Sequence, residues 1–488
     1  MYIIDNETEY KIRISIILVL ITALVAAIIG TKPVILAATI LTLFIPAILF
    51  AKFYISIKTK FTLALIFATL WCLFSFQLAH HWIQDLAEVV GYFLSYFIIF
   101  GIAIIPGFMS AFLVGSLLVD YRPKRRELAD SEYPPITILI AAYNEGLNIE
   151  STLESISRQG YPAPITAIVI NDGSKDNTVS VVRECMSKYS FVDLLDLTKN
   201  VGKSNALNEG LKLVDTKLFL TIDGDCYLYK DALRRIVERY LSDPVNTVAV
   251  AGAVLVRNSR KNLVTKIQEW DYFHGIASIK RVQSLYQGTL VAQGAFSLYD
   301  TEIVRKVGAW PHTVGEDIVL TWEFLKQGYR VGFAEDACLF TNAPETWSAF
   351  IKQRQRWSRG LIEAFKQHWP LIFMLRQNSI FIWWNLLFPY TDLVYTLAFI
   401  PGLILAFFGI HWIAGPMTFI LLPLGMILNY VMYRIQARMF EEQGLSVRKN
   451  LIGFMMYAFV YSLILQPASL WGYLKEIFDG ATKNWGTK

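Results

Sequence analysis

Apolar residues gather in long uncharged runs toward the two ends of the chain, whereas Asp, Glu, Lys and Arg concentrate between residues 120 and 370. A helix that crosses a bilayer needs about 20 consecutive apolar residues. Four runs reach that length before the polar stretch, at 12–30, 33–50, 61–80 and 91–119, and three follow it, near 380–410, 414–433 and 451–472. The pattern predicts membrane helices on either side of a soluble middle domain. Gln466 and Pro467 interrupt the last run, which makes it a candidate for a re-entrant or interfacial element.

Within the middle stretch the period changes. Pro134 and Pro135 close a linker, and residues 136–142 form a short apolar run rich in β-formers, as a buried strand does. A helical pattern follows through Ile149, Leu153 and Ile156, then a second strand at 165–170 and another helix. A strand at 192–195, a helix at 204–213 and a strand at 217–222 continue the alternation. Such a βαβα series predicts a mainly parallel sheet covered by helices, with ligands at the carboxyl ends of its strands. Asn144, Glu145, Asp172, Asp223 and Asp225 all fall at those ends. Neither GxGxxG at the first helix nor GxxxxGK[ST] occurs, which argues against a dinucleotide fold and a P-loop.

Composition agrees with the membrane reading: of 488 residues, 54% are hydrophobic and 17% charged, too apolar for an ordinary soluble enzyme. The leader with Asp5, Glu7 and Glu9 has no basic n-region or small-residue cleavage site, so the first run is expected to remain as an anchor. Lys52, Lys58 and Lys60, then Arg122, Lys124, Arg125 and Arg126, then Arg434, Arg438, Arg448 and Lys449 mark cytoplasmic loops and orient the middle domain to the cytosol. These flanking residues account for the net charge of +5, so no nucleic-acid partner is expected. Cys72, Cys185, Cys226 and Cys338 include no CxxC pair, and the six histidines show no metal-ligand spacing.

Several motifs carry candidate chemistry, each beside a plainer reading. Asp223-Gly224-Asp225 ends an apolar strand; strand period two would point both carboxylates the same way, and two hard oxygen ligands suit Mg2+ or Mn2+. The same tripeptide also serves as a solvated turn. In Asn171-Asp172-Gly173-Ser174-Lys175-Asp176, Asp176 reads as a cap for the helix that follows, and Asp172 as the candidate for a nucleoside contact. Lys203 stands at a helix N-terminus, where N–H groups and an ammonium suit a diphosphate. Glu316 or Asp317 either caps the helix at 318–325 or supplies a general base. Residues 346–375 read as amphipathic interfacial helices, in which Arg354, Arg359 and Lys366 are expected to snorkel. Gln353, Arg356 and Trp357 share one helical face there, offering an amide, a guanidinium and a flat ring.

In this order, Ala142-Tyr143-Asn144-Glu145, Asn171-Asp172-Gly173, Asp223-Gly224-Asp225, Gly315-Glu316-Asp317 and Gln353-x-x-Arg356-Trp357 resemble the processive family 2 glycosyltransferases. These include the synthases of poly-N-acetylglucosamine, hyaluronan, chitin oligosaccharide and cellulose. The resemblance implies a GT-A fold, an α/β domain with a mainly parallel, Rossmann-like sheet, at 121–345 between transmembrane regions at 1–120 and 376–488. It also implies inverting displacement from a UDP-sugar. It assigns Tyr143, Glu145 and Asp172 to the uridine, Lys203 to the diphosphate, Asp223 to donor contacts and the metal, and Asp225 to the metal. Asp317 becomes the base, Arg356 the group that stabilises the departing diphosphate, and Gln353, Trp357, Gln293 and Gly294 the acceptor contacts. Mg2+ or Mn2+ is the implied cofactor. The implied partners are a UDP-sugar, the growing polysaccharide and the bilayer of the plasma (bacterial inner) membrane, and the resemblance admits a small membrane accessory subunit.

Gly-Glu-Asp replaces the Thr-Glu-Asp of many members while leaving the base intact, and Glu316-Asp317-Ile318 followed by Trp322 is more similar to poly-N-acetylglucosamine synthases than to hyaluronan synthases. Poly-N-acetylglucosamine is therefore the expected product, with hyaluronan, chitin, β-glucan or a single sugar placed on a polyprenyl phosphate as alternatives. Four leading spans exceed the usual two of poly-N-acetylglucosamine synthases. The cyclic-dinucleotide-binding module of bacterial cellulose synthases is not expected.

Overall fold

A computed structural model describes residues 56–120, 126–286, 288–415, 429–430 and 433–478. The expected runs at 12–30 and 33–50, most of the run at 414–433, and Lys52, Arg122, Lys124 and Arg125 lie outside the described residues. The chain divides into two compact units, Met1–Lys124 with Leu386–Ile435, and Arg125–Asn385 with Gln436–Lys488.

In the first unit, α1 (Ile57–Val90) and α2 (Tyr92–Leu118) are each long and apolar enough to cross a membrane. They pack through small residues, as membrane helices do in the absence of a hydrophobic drive. A Cβ on Gly115 would lie 3.3 Å from Ala64 Cα, and one on Gly107 3.0 Å from Trp71 Nε1. The helix Ser379–Phe407 also has the length and apolarity of a span. These three helices match the runs at 61–80, 91–119 and 380–410.

The second unit is built on one eight-stranded sheet. Its strands are β1 (Ile136–Ala142), β2 (Ile165–Asp172), β3 (Val192–Leu197), β4 (Leu218–Asp223), β5 (Tyr227–Leu228), β6 (Thr247–Val256), β7 (Phe296–Asp300) and β8 (Arg330–Thr341), in the order β3-β2-β1-β4-β7-β6-β8-β5. Parallel pairing joins β3, β2, β1 and β4, and again β6 and β8. β7 runs antiparallel to both β4 and β6, and β5 antiparallel to β8. The sheet is thus GT-A-like and mixed: its parallel half follows the βαβα alternation, whereas β5 and β7 are two and five residues long and leave little periodic signal.

Helices α3 (Ile149–Ser157), α4 (Thr178–Lys188), α5 (Lys203–Leu211) and α6 (Ala232–Ser242) accompany the sheet. Ile149, Leu153 and Ile156 of α3 are buried in a core that includes Ile136, Ile138 and Ile140 of β1. Each such side chain contributes about 1.5–3 kcal/mol on leaving water, which fixes the strand ends relative to one another. The remaining helices used below are α7 (Ala277–Leu285), α8 (Glu316–Lys326), α9 (Trp347–His368), α10 (Leu451–Phe459) and α11 (Tyr461–Phe478). Only together are the last two long and apolar enough to cross a membrane, and they meet at a 50° bend. The break falls after Phe459, not at Gln466 and Pro467, and Pro467 lies inside α11. α11 is held on α9 instead: Glu476 takes bonds from Arg359 Nε at 3.3 Å and Lys366 Nζ at 3.0 Å. Arg359 and Lys366 therefore pair with a buried carboxylate instead of snorkelling.

Candidate active site

β1 ends in a turn stapled to the loop after β2. Asn144 adopts φ 56°, a left-handed conformation that Asn tolerates better than most residues. Its N–H donates to Ser174 Oγ at 2.9 Å and its Oδ1 accepts from Lys175 N at 2.9 Å. Glu145 N–H donates to Thr178 Oγ1 at 2.9 Å, and Asp176 accepts from Gly146 N and Thr178 N, each at 3.0 Å. Asp176 thus tethers the start of α4, as its place in the sequence indicates. Half-buried Tyr143 and buried Glu145 sit on this turn, at the carboxyl end of β1.

Asp172, at the end of β2, is buried, and its two oxygens accept the N–H groups of Val201 at 2.7 Å and Gly202 at 3.0 Å. Burial raises its pKa, and these two donors pull the other way. The loop that it anchors leads into α5, whose first residue is Lys203. The Lys203 ammonium bonds Asp223 Oδ1 at the end of β4, and it packs so closely on Gly294 that a Cβ there would lie 3.0 Å from Nζ. Burial would lower the Lys203 pKa, but the carboxylates of Asp223 and Glu316 outweigh it and hold the amine above the ordinary lysine value. Two N–H groups ahead of the helix are therefore taken by Asp172, and the ammonium faces the strand ends.

Gly294 lies in the loop before β7. Its N–H donates to Asp317 Oδ2 at 3.4 Å, and Asp317 Oδ1 accepts from Ile318 N at 2.8 Å. Neighbouring Gln293 points elsewhere, donating from Nε2 to Gly252 O at 2.6 Å. Asp317 and Glu316 occupy the first turn of α8, where acids complement the helix dipole. Asp317 is half-buried and Glu316 buried. Burial, and then the Asp317 charge, push the Glu316 carboxyl well above the usual range, while Lys203 and Arg356 pull it back. The two adjacent acids so occupy different electrostatic settings, the arrangement by which neighbouring carboxyls acquire different roles. Behind them Lys280 of α7 donates to Val291 O at 2.8 Å; burial brings its pKa down to about 7, against the opposing Asp317 charge.

Asp225 lies in the turn after β4, so strand alternation describes Asp223 but not Asp225. Its Oδ1 accepts from Thr341 Oγ1 of β8 at 3.4 Å, and its charge is felt by the buried Tyr272 phenol, which burial pushes up to about 12. Tyr272 lies close to Gln353 of α9, and its ring centroid lies 6.4 Å from that of Trp357. Gln353 Oε1 is buried and takes no hydrogen bond, and Trp357 is 39% exposed. Under Trp357 runs Arg354, with Cζ 4.0 Å from the ring centroid and an ion pair to Asp271 at 2.9 Å. Arg354 is buried, not snorkelling, between the Trp357 ring and Asp271.

Tyr143, Glu145 and Asp172 thus line the ends of β1 and β2, while Lys203, Asp223, Gly294, Glu316, Asp317 and Arg356 converge across β4, β7, α5, α8 and α9. Gln353, Trp357 and Asp225 form a second edge around Tyr272. Among the described residues no group of three or more His, Cys, Asp and Glu side chains forms a closed metal site. Asp223 closes β4 against Lys203, and Asp225 lies two residues on, against Thr341. Asp271, Tyr272, Lys280, Gly360 and Glu363 are also part of the framework, and no local sequence signal marks them.

A family model described as "Glycosyltransferase like family 2" matches residues 134–360. A poly-beta-1,6-N-acetyl-D-glucosamine synthase of Staphylococcus aureus (strain COL) is 32% identical over 297 residues, covering 57% of this chain and 71% of the relative. The protein of the same name from Staphylococcus epidermidis is 33% identical over 277 residues, covering 55% of this chain and 66% of that one. Among solved structures, a mannosyltransferase from Pyrobaculum calidifontis in complex with GDP-Man and Mn2+ matches with a TM-score of 0.50 at 16% identity, covering 82% of this chain and all of that one. That likeness concerns the fold, a sheet flanked by helices of the glycosyltransferase kind. The chain belongs to glycosyltransferase family 2. It is a glycosyltransferase with candidate membrane helices.

Proposed function

We propose that this enzyme is a processive, inverting polymerase that builds a β-linked polysaccharide, poly-N-acetylglucosamine, from a UDP-sugar on the cytoplasmic side of the membrane. The observation that carries the reading is the meeting of Asp317 with Gly294 and of Lys203 with Asp223, beside a helix, α9, that carries Arg356 toward them and Gln353 and Trp357 toward Tyr272. The first set suits a diphosphate sugar and the second a carbohydrate ring with free hydroxyls.

In the reaction, Asp317 removes the proton from the acceptor hydroxyl as its oxygen bonds the anomeric carbon and the bond to the diphosphate breaks with inversion. Lys203 and Arg356 take up the charge that develops on the departing diphosphate, an electrostatic contribution that is usually the largest single one in catalysis. Tyr143, Glu145 and Asp172 form and brace the nucleoside end. Trp357 stacks the acceptor sugar, and the unpartnered Gln353 Oε1 accepts from one of its hydroxyls. Asp225 and Asp223 would hold Mg2+ or Mn2+, whose charge neutralises phosphate oxygens. Names of the Staphylococcus relatives and the Mn2+ of the mannosyltransferase complex support the polymer and the metal respectively. The flanking membrane helices support export of the polymer through the same chain.

The test offers each UDP-sugar singly to pure enzyme with Mg2+ or Mn2+ and records UDP release and product length. Long glycan from UDP-N-acetylglucosamine, abolished by EDTA, is the expected result. A single-sugar glycolipid or hydrolysis alone would refute the polymerase. In reconstituted vesicles with the UDP-sugar sealed inside, an external glycanase should degrade the product; complete protection would refute export.

A further inference from the structure

The first residue of the Gly315-Glu316-Asp317 motif has no side chain to cap the helix that it opens, and the two N–H groups leading into α8 would be orphaned. They are not. Glu363, sixteen residues into α9 and 5% exposed, accepts the N–H of Val314 at 3.1 Å and of Gly315 at 2.9 Å. A carboxylate from one helix therefore takes the N–H of the residue that opens another, the part that an N3 glutamate plays within its own helix in a capping box.

The same face of α9 makes a second contact. Gly315 and Gly360 meet backbone to backbone: a Cβ on Gly315 would lie 2.4 Å from Gly360 Cα, and one on Gly360 2.7 Å from Gly315 Cα. Arg356, Gly360 and Glu363 stand at i, i+4 and i+7, on a common face. One helix face thus bears the guanidinium that acts on Glu316 and Lys203, the glycine that admits the start of α8, and the carboxylate that grips it.

We propose that Glu363 is a positioning residue that, with the Gly315–Gly360 contact, fixes the Asp317 carboxylate and the Arg356 guanidinium in one frame for sugar transfer. The inference rests on the reading of Asp317 as the proton acceptor. Glu363 touches neither substrate nor reacting atoms; it acts through the backbone of residues 314 and 315. Its loss lets the base turn drift from the donor and acceptor, and a displacement of about 1 Å at a reacting group can cost about 100-fold in rate.

The test compares Glu363→Ala, Glu363→Gln and Gly360→Ala with the parent and with Asp317→Asn, in detergent-purified full-length enzyme. Donor KM, kcat for transfer and the thermal unfolding midpoint are measured for each. Glu363→Ala and Gly360→Ala are expected to lower kcat about 10- to 100-fold, with donor KM within about threefold. Glu363→Gln keeps an oxygen for one of the two N–H groups and is expected to recover part of that loss. Parental kcat in folded Glu363→Ala and Gly360→Ala, or a loss confined to KM, would overturn the proposal, as would a Glu363→Gln loss equal to that of alanine. If Asp317→Asn retains activity, the assignment of the base fails instead; an inactive Asp317→Asn beside a fully active Glu363→Ala condemns the positioning role alone.

Discussion

Replacing Arg354 by Met removes the cation from a pair in which both side chains are almost dry. The Arg354 and Asp271 side chains are 4% and 10% exposed and their N–O separation is 2.9 Å. The guanidinium lies 4.0 Å from the Trp357 ring centroid and 4.8 Å from that of Phe350. Methionine restores much of the volume but leaves Asp271 as a buried carboxylate without its counter-ion, a loss that typically costs about 3–5 kcal/mol. With a few degrees of melting temperature per kcal/mol in a unit of this size, the midpoint should fall by roughly 10 °C. Asp271→Asn should fall by a similar amount for the converse reason. The double variant Asp271→Asn with Arg354→Met has no stranded charge and should regain more than half of either loss, because an intact buried pair often contributes little over an apolar replacement. Thermal unfolding followed by tryptophan fluorescence in detergent measures all three. Single-variant shifts below roughly 2 °C, or a double variant as low as the sum of the singles, would refute the claim that the pair is buried and mutually compensating.

Asp317→Asn is expected to lose transfer by about 100- to 10,000-fold while still binding donor, measured by kcat against calorimetric donor affinity. Lys280, brought down to about 7 by burial, stays neutral when folded at alkaline pH, whereas the unfolded chain holds its proton up to about pH 10. The unfolded state therefore binds more protons between about pH 7 and pH 10, and this residue's contribution to stability rises with pH across that window and is lost as pH falls through 7. Lys280→Met should then exceed the parent's unfolding midpoint by most at pH 6 and by least at pH 9; an advantage independent of pH would refute the burial of a titrating amine. Cys185, Cys226 and Cys338 are buried, and burial raises each thiol above its ordinary pKa. Maleimide at pH 7 should leave all three unlabelled until denaturant is added, as intact-mass measurement would report.

What could be read from the sequence was what the chain decides locally. The apolar runs at 61–80 and 91–119, the β1 to β4 alternation, the stripe Ile149, Leu153 and Ile156, and the tether at Asp176 each depend on residues within a turn or two of one another. The strand-end acids were legible for the same reason, because a parallel sheet gathers its carboxyl ends whatever the distance between strands. What escaped was settled by partners far along the chain. Arg354 reads as a snorkelling cation until Asp271 is brought beneath it, 83 residues earlier in the sequence. Glu363 reads as one more acid on a polar helix face until Gly315 arrives 48 residues away. One trace was available: Gly315 brings no side chain to the start of this helix, and buried N–H groups there must find their acceptor elsewhere.

The charges gathered around Lys203 and Arg356 bear on what substrate binding must exchange. Lys203 is held by Asp223, and the Glu316 carboxyl feels both Lys203 and Arg356, so the two cations suited to a diphosphate face protein carboxylates. A buried cation without such partners would lose its proton or distort the fold. On the proposed reading, an incoming diphosphate would replace these carboxylates at Lys203 and Arg356 and leave Glu316 with less positive charge opposite it. On that same reading, its raised pKa then makes Glu316 the acid able to relieve the excess negative charge by taking a proton, while the adjacent, half-buried Asp317 is hydrogen-bonded by Gly294. Two neighbouring acids are useful here because burial treats them unequally, and an arrangement with both equally exposed would lack that division.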